Sequence, residues 1–311
     1  MAILITGAAG ELGRMVTDCL LEAVAASELI LVTRRPEKLA GMAPKGAEIR
    51  RADFDDPESL VPAFEGADRM LLISTARVGG RVRQHKNAVN AAEKAGVKHL
   101  VYTSSVGINP QTPAIVISDH LETEEKIRAS GLAHTIMRDS QYAEALALFA
   151  APSAIETGVW YSCSGDGRIA LVSEKDCAAC AAKALATPGK DNKIYTITGP
   201  ELLSYRDVAA LAAEIGGSSV EYRVVSDDER RTQFADMGVP ADYVEDMVTA
   251  GAGKWSSEDM VTYEMSIRDG YFAEISNDVE KLLGRPPRSA RDVFLDHADR
   301  IRAARPEAGA L

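Results

Sequence analysis

A chain of 311 residues exceeds one average domain, and a hydrophobic share of 46% with mixed charges describes a globular protein with a sizeable core. Its formal net charge of −11 argues against a nucleic-acid partner, which needs a basic face, but leaves room for a local basic pocket. No apolar run reaches the ~18 residues of a membrane span, and no basic flank or cleavage site marks a signal peptide, so the apolar N-terminus reads as a strand.

Strand-like and helical runs alternate over the first half. The strand "AILIT" leads through a glycine loop into a helix from about Glu11. Further strands are "ELILVT", "EIRRAD", "RMLLIS", "HLVYTS" and "HTIMR". Between them, "DPESLVPAFEGA", "RQHKNAVNAAEKAG" and "SDHLETEEKIRASG" carry apolar residues at helical spacing. Asp56 before Pro57 reads as an N-cap with proline in the first turn, and Gly96 and Gly131 read as helix-ending glycines. Such alternation predicts an α/β fold over residues 1–150, with a doubly wound parallel sheet covered on both faces. The near-continuous apolar runs "LILV" and "MLLI" fit strands buried on both sides.

Beyond about Leu148 the rhythm changes, and residues 151–311 read as a smaller, mostly helical lobe packed on the C-terminal strand edges. Its strand candidates are "GVWYSCSGDGRIALV", "DNKIYTIT" and "VEYRVV". Asp166, Gly167 and Arg168 in the first of these read as a hairpin turn. Helices are expected at about 174–186, 204–215, 227–237, 241–250 and 289–302, with "RPEAGAL" as a frayed end. The four cysteines make no disulfide framework; Cys177 and Cys180 read as small buried residues of an alanine-rich helix. The five histidines make no zinc spacing, so no metal is expected.

Gly7-Ala8-Ala9-Gly10-Glu11-Leu12-Gly13 follows a strand and opens a helix. In that setting the first glycine allows a tight turn, the second lets backbone approach a pyrophosphate, and the third lets helix and strand pack closely. Free N–H groups at the helix start then face the phosphates. The second strand ends in Thr33, Arg34 and Arg35, where a carboxylate would have favoured NAD. Guanidinium groups there suit the 2′-phosphate of NADP(H). Asp53, ending the third strand, is expected to reach the adenine amine, with Phe54 beside it.

Many short-chain dehydrogenases use a Tyr-x-x-x-Lys pair as proton donor. None of the nine tyrosines here has lysine four residues on; Tyr102 meets Val106, Tyr142 meets Leu146 and Tyr195 meets Gly199. The helix that would carry the pair instead has His120 and Glu124 on one face.

The glycine loop, "LVTRRPEKL", "QHKNAVNAAEKAGVKHLVYTSS" and "DHLETEEKIRASG" together resemble the atypical short-chain dehydrogenases of the NmrA-like group. Within that group the chain is most similar to bacterial NAD(P)H:quinone oxidoreductases and triphenylmethane reductases, over roughly the first 250 residues. The resemblance implies a Rossmann-type fold, a two-lobed cleft and NADPH as hydride donor. It assigns Gly7, Ala8, Gly10, Glu11, Leu12 and Gly13 to the phosphate loop and Arg34 to the 2′-phosphate. Ser74, Thr75, Thr103 and Ser104 fall beside the nicotinamide ribose, and the segment from Arg138 to Tyr142 lines the nicotinamide pocket. Asp139 stands where the family often has asparagine. The segment "KWSSEDMVTYEMSIRDGYFAEI" departs from the family pattern on the substrate side.

His120, as a hydrogen-bond donor or proton relay, and Tyr142, as a stacking wall or hydroxyl donor, are the candidate catalytic residues. The expected function is NADPH-dependent hydride transfer to a quinone-like, aromatic or conjugated carbonyl acceptor, in the cytoplasm. The partner is a small molecule, with neither nucleic acid nor membrane; a homodimer is the assembly to test. The alternative is a non-catalytic NADP-binding sensor that regulates a partner protein, in which the space over the nicotinamide is filled. Nucleotide-sugar epimerase or dehydratase chemistry ranks low, because it relies on the missing tyrosine–lysine pair.

Overall fold

A computed structural model describes residues 1–187, 192–245, 247–249 and 254–306. The first half alternates as its apolar spacing requires: β1 (Ile3–Ile5), α1 (Glu11–Leu21), β2 (Leu29–Thr33), β3 (Glu48–Arg51), α2 (Pro57–Phe64), β4 (Arg69–Leu72), α3 (Arg81–Lys94), β5 (His99–Ser105), α4 (Ile115–Ala129) and β6 (Ala133–Asp139). Short helices α5 (Ala143–Ala145) and α6 (Ala151–Thr157) follow, joined by a π turn at Leu146–Ala150. Then come β7 (Val159–Ser162), β8 (Arg168–Ile169), α7 (Glu174–Ala186), β9 (Lys193–Ile197), β10 (Leu203–Ser204), α8 (Tyr205–Gly216), β11 (Glu221–Val224) and α9 (Asp227–Asp236). The chain ends with α10 (Ser257–Arg268), α11 (Asp278–Leu283), α12 (Ala290–Asp296) and α13 (Ala298–Ala303).

The seven-stranded sheet runs β3-β2-β1-β4-β5-β6-β9, and every pairing in it is parallel. This is a Rossmann-type order, with its topological switch point between β1 and β4. Successive strand residues point to opposite faces. Ile3 and Ile5 therefore join Leu29, Leu31, Val101 and helix α7 in one core, while Leu4 joins Ile30, Met70 and Leu72 in the other. Beyond residue 150, α7 and α11 join the core on the α1 face and β9 adds to β6. A third core forms around Trp160, Tyr205, Phe272 and Phe294, and α9 packs Phe234 into a smaller one with Val261.

Gly96 and Gly131 have positive φ, as helix-ending glycines should. Asp56 does occupy the N-cap of α2, but its side chain makes no cap bond. Three expectations for the second half are corrected. Residues 164–167 form a turn closed by Gly167 N–H to Ser164 C=O, yet β7 and β8 do not pair as a hairpin. Instead β7 pairs with β11 and β8 with β10. The expected helix at 241–250 is not formed among the described residues: 241–245 are bends, irregular backbone and a turn, and 247–249 are non-helical, while Asp246 and Ala250 lie outside the described residues. Its proline–alanine start carries no residue to cap the first turn. The expected helix at 289–302 breaks at His297, which caps both α12 and α13. Within "RPEAGAL", residues 307–311 lie outside the described residues.

The π turn has a local cause. Pro152 has no N–H to offer the Leu148 carbonyl four residues earlier. Arg300 Nε donates to that carbonyl instead, at 3.0 Å.

Helix α1 approaches β1 only because two residues lack side chains. Gly7 sits at φ +61°, in the left-handed region. A Cβ on Gly13 would lie 2.4 Å from the Gly7 carbonyl oxygen and 2.8 Å from Ala8 Cα, both backbone atoms. Gly13→Ala must therefore push α1 away, and we expect a loss of about 1–3 kcal/mol, the usual cost of overpacking. In a urea titration this should lower the midpoint with the slope unchanged; an unshifted midpoint would contradict the close contact.

Candidate active site

The C-terminal ends of the strands converge on one cavity of about 200 Å³. Ser74 after β4, Ser104 on β5, His120 on α4, and Asp139, Ser140 and Tyr142 at the end of β6 line one side. Phe149 of the π turn, Trp160, Trp255, Met260 and Tyr263 supply an apolar wall. The space is open, not filled by the second half of the chain.

At the glycine loop, Gly10 N–H closes a turn on Gly7 C=O at 2.8 Å, and Ala8, which is buried, ties back to Val32 C=O at 3.2 Å. Gly10 caps α1 without any side-chain bond, so the first-turn N–H groups of Glu11, Leu12 and Gly13 are not capped from within. Arg34 is exposed at the end of β2, and its Nη1 lies 2.5 Å from Glu245 Oε1. Arg35 is half-buried beside it, its N–H donated to Thr33 Oγ1 at 3.1 Å. Asp53 and half-buried Phe54 close a tight turn after β3; Asp53 Oδ1 accepts from Asp55 N–H at 3.0 Å.

Thr103 Oγ1 accepts from Ser74 N–H at 2.8 Å, so Thr103 stands behind Ser74. Thr75 donates its N–H to His85 Nε2 at 3.2 Å and its hydroxyl to Gln84 at 2.8 Å. Arg138 faces away from the cavity. Its Nε and Nη2 hold Glu124 at 3.0 and 2.8 Å, and Ser104 Oγ donates to the same carboxylate at 2.7 Å. Burial raises the Glu124 pKa, but these bonds and the charges of Arg138 and Arg128 win and hold it below the usual value. Strand alternation decides which neighbour meets the cavity: Arg138 clamps β6 to α4, and Asp139 turns inward.

The tautomers on α3 and α4 follow from their partners. Arg81 is buried and has only donors; its Nη1 lies 3.2 Å from His120 Nε2, which must accept. The His120 proton is then on Nδ1, 2.7 Å from the Tyr102 hydroxyl. His85 likewise accepts at Nε2 from Thr75 and carries its proton on Nδ1, 3.0 Å from Thr123. Burial first, then the Arg81 charge, pushes His85 down to about 3 and holds His120 well below the usual imidazole value. Arg81, which also donates to Thr75 C=O, thus stands between His120 and the mouth of β4.

Two buried carboxyls border the same cavity. Burial pushes Asp139 up to about 7, against hydrogen bonds from Tyr142 and Cys177; Tyr142 donates to Oδ2 at 3.2 Å, while Oδ1 has no partner. Ser140 Oγ is also unpartnered. Burial also pushes Asp259 on α10 up to about 7. Arg81 and Asp259 escaped the sequence reading. An arginine on a helix reads as solvated, and "SSED" at 256–259 reads as a capping box.

Comparison with known proteins bears directly on this arrangement. Residues 7–188 match the NAD(P)H-binding family. The chain belongs to that family. Quinone oxidoreductase 2 of Escherichia coli (strain K12) is 33% identical over 91% of this chain and 94% of its own. The NAD(P)H azoreductase of Xenophilus azovorans is 28% identical over 97% of this chain and 100% of its own. Among solved structures, the E. coli NADPH-dependent quinone oxidoreductase complexed with NADPH superposes with a TM-score of 0.85 at 31% identity, covering 94% of this chain and 99% of its own. The Citrobacter sp. triphenylmethane reductase complexed with NADP(H) gives 0.83 at 28% identity, covering 96% and 100%. With an NmrA-like oxidoreductase also among the relatives, at 30% identity, the NAD(P)H-binding chain falls in the atypical, NmrA-like group of short-chain dehydrogenases. A dinucleotide fits what this family member offers: a loop cleared of side chains at Gly7 and Gly13, an uncapped helix start, and orphaned polar atoms on Asp139 and Ser140 at the cavity. Glu174, near the loop, is pushed up to about 8 by burial first, then by Glu11 and Glu144, so at neutral pH it opposes a pyrophosphate little.

The dry carboxyl has a measurable consequence. Asp139 holds its proton up to about pH 7 in the folded chain but only to about pH 3.9 when unfolded. The folded state binds the extra proton, so stability falls as pH rises between those values and is flat above. Asp139→Asn should therefore raise Tm at pH 8 and raise it less at pH 5, by thermal melts followed by circular dichroism. Equal gains at the two pH values would contradict a raised pKa.

Proposed function

We propose that the protein is an NADPH-dependent oxidoreductase that reduces quinone-like, aromatic or conjugated carbonyl acceptors. The observation that carries this reading is the open, aromatic-walled cavity at the strand ends beside the switch point, where a doubly wound sheet binds its ligands. When bound, NADPH supplies the hydride. Gly7, Ala8, Gly10, Glu11, Leu12 and Gly13 would cradle its pyrophosphate, and Arg34 with Arg35 its 2′-phosphate. Asp53 and Phe54 border the adenine in this reading, and Ser74, Thr75, Thr103 and Ser104 the nicotinamide ribose. Arg138 acts from behind, by holding β6 to α4 through Glu124.

The aromatic wall orients a flat acceptor and excludes water, which strengthens each polar contact in the cavity. Arg81, held by His120, offers fixed positive charge for an oxyanion formed on the acceptor. In this reading His120 acts through Arg81, and Tyr142, donating to Asp139, walls the pocket. Much of the acceptor side, Trp160, Tyr205, Trp255 and Tyr263 among it, comes from residues 151–311, which supports reading that half as the substrate lobe. A small-molecule acceptor is the partner. No helix among the described residues is long and apolar enough to cross a membrane. We place the protein in the cytoplasm; four free thiols support a reducing compartment.

The test is loss of NADPH absorbance with a panel of quinones, azo dyes, triarylmethyl dyes and enones. Binding of NADPH with no turnover on any of them would favour the sensor reading. Arg34→Ala should raise KM for NADPH by about 10–100-fold, the loss of a charged hydrogen bond or two, and leave KM for NADH nearly unchanged. Glu245→Ala should act oppositely on NADPH, because it removes the carboxylate that engages Arg34. Equal effects on both coenzymes would remove Arg34 from 2′-phosphate recognition.

A further inference from the structure

Five helices of the second half begin with a serine N-cap followed at the third helical position by an acidic residue: α7, α8, α9, α10 and α12. The ordinary use of that acid is to close a capping box by accepting from the serine N–H. Asp207, Glu229 and Asp292 do so. Asp176 instead holds Arg285 at 2.7 Å and Arg288 N–H at 2.7 Å. Asp259 does neither. Ser256 Oγ still accepts from Asp259 N–H at 3.2 Å, but the Asp259 carboxyl does not return to the cap. It borders the cavity, 3% exposed, with no hydrogen-bond partner on either oxygen.

An unpartnered carboxyl in a dry cavity is costly unless it holds a proton or meets a ligand there. We propose that Asp259 is the proton donor for acceptors whose reduction leaves an oxyanion, so that α10 replaces the missing tyrosine–lysine pair. This rests on the oxidoreductase reading above. In the step, the acceptor carbon or conjugated oxygen gains hydride from NADPH, which leaves as NADP⁺. The Asp259 O–H bond breaks and a new O–H bond forms on the acceptor oxygen. Solvent then returns the proton to the carboxylate.

The other titratable groups facing the cavity are committed. The His120 proton is on Nδ1, towards Tyr102 and away from the acceptor. Tyr142 donates its O–H to Asp139 Oδ2, so Asp139, which burial also raises to about 7, has one of its two oxygens engaged, where Asp259 has neither. Glu264 accepts from the Ser162 hydroxyl and from Cys163 N–H, each at 2.7 Å, and pairs with Arg230. Tyr263 is stacked on Phe272 and burial pushes it far above the usual phenol value. Asp259 itself is raised first by burial; Arg81 pulls it down and Asp119 pushes it up, leaving it near 7. Arg81 also stabilises the carboxylate left after transfer.

The experiment pairs two acceptors. A quinone needs a proton to become a hydroquinone; a triarylmethyl cation takes hydride alone and becomes neutral. In Asp259→Asn, kcat for the quinone should fall about 100-fold, the usual worth of a positioned acid, and kcat for the triarylmethyl cation should stay within a few-fold. The wild-type quinone rate should decline as pH rises through about 7, the pH at which Asp259 loses its proton, and that decline should vanish in the variant. A second readout needs no coenzyme: Asp259→Asn should raise the Tm of the unliganded protein at pH 8 more than at pH 5. Equal slowing with both acceptors, loss with the cation alone, or the same selective loss in Asp139→Asn but not Asp259→Asn, would each overturn the assignment. If the wild-type protein reduces neither acceptor, the oxidoreductase reading falls and the proton donor with it. If it reduces both, only the Asp259 assignment is at stake.

Discussion

Everything at the mouth of this fold hangs on one backbone contact, Gly13 against the carbonyl of Gly7. That contact brings the first turn of α1 within reach of the switch point between β1 and β4. It exposes a row of amide N–H groups at a place where no side chain intervenes. Strand alternation then distributes the remaining labour. Along β6 it turns Asp139 to the cavity and Arg138, with its in-register neighbour Ser104, to Glu124 on α4, while Thr103 braces Ser74.

The second organising effect is exclusion of water. In bulk solvent the histidines of α3 and α4 would titrate near neutrality and the aspartates would be ionised. In and behind this cavity both trends reverse: the buried imidazoles stay neutral and the carboxyls retain protons to about pH 7. The buried guanidinium of Arg81 sets the sign of the local field and engages Thr75 and His120. A short-chain dehydrogenase without its usual tyrosine–lysine pair therefore still keeps a protonated carboxyl and a fixed positive charge at one cavity.

Much of this was legible in the residues. The strands and the parallel, doubly covered sheet followed from apolar runs and crossover helices, most plainly in β2 and β4, which are buried on both faces. The glycine loop was legible because the left-handed backbone at Gly7 and the closed space at Gly13 favour glycine. What escaped was anything decided by long-range partners. Nothing local tells Arg138 that Glu124 awaits it, or tells Asp259 to abandon its own helix cap. The pairing of β7 with β11 was hidden for the same reason: strands 60 residues apart carry no mutual signal, whereas the turn at Gly165 is written in its own few residues. At Arg34 the structure adds a partner the sequence did not signal, Glu245 from the far half of the sequence.

The carbonyl of Leu148, stranded by Pro152, is caught by Arg300, 152 residues further on. The π turn beside that carbonyl supplies Phe149 to the cavity wall. Assembly thus has an order in time. A nascent chain can finish its glycine loop and central strands early in synthesis, but the turn that carries Phe149 to the cavity is not fastened until α13, with Arg300, leaves the ribosome.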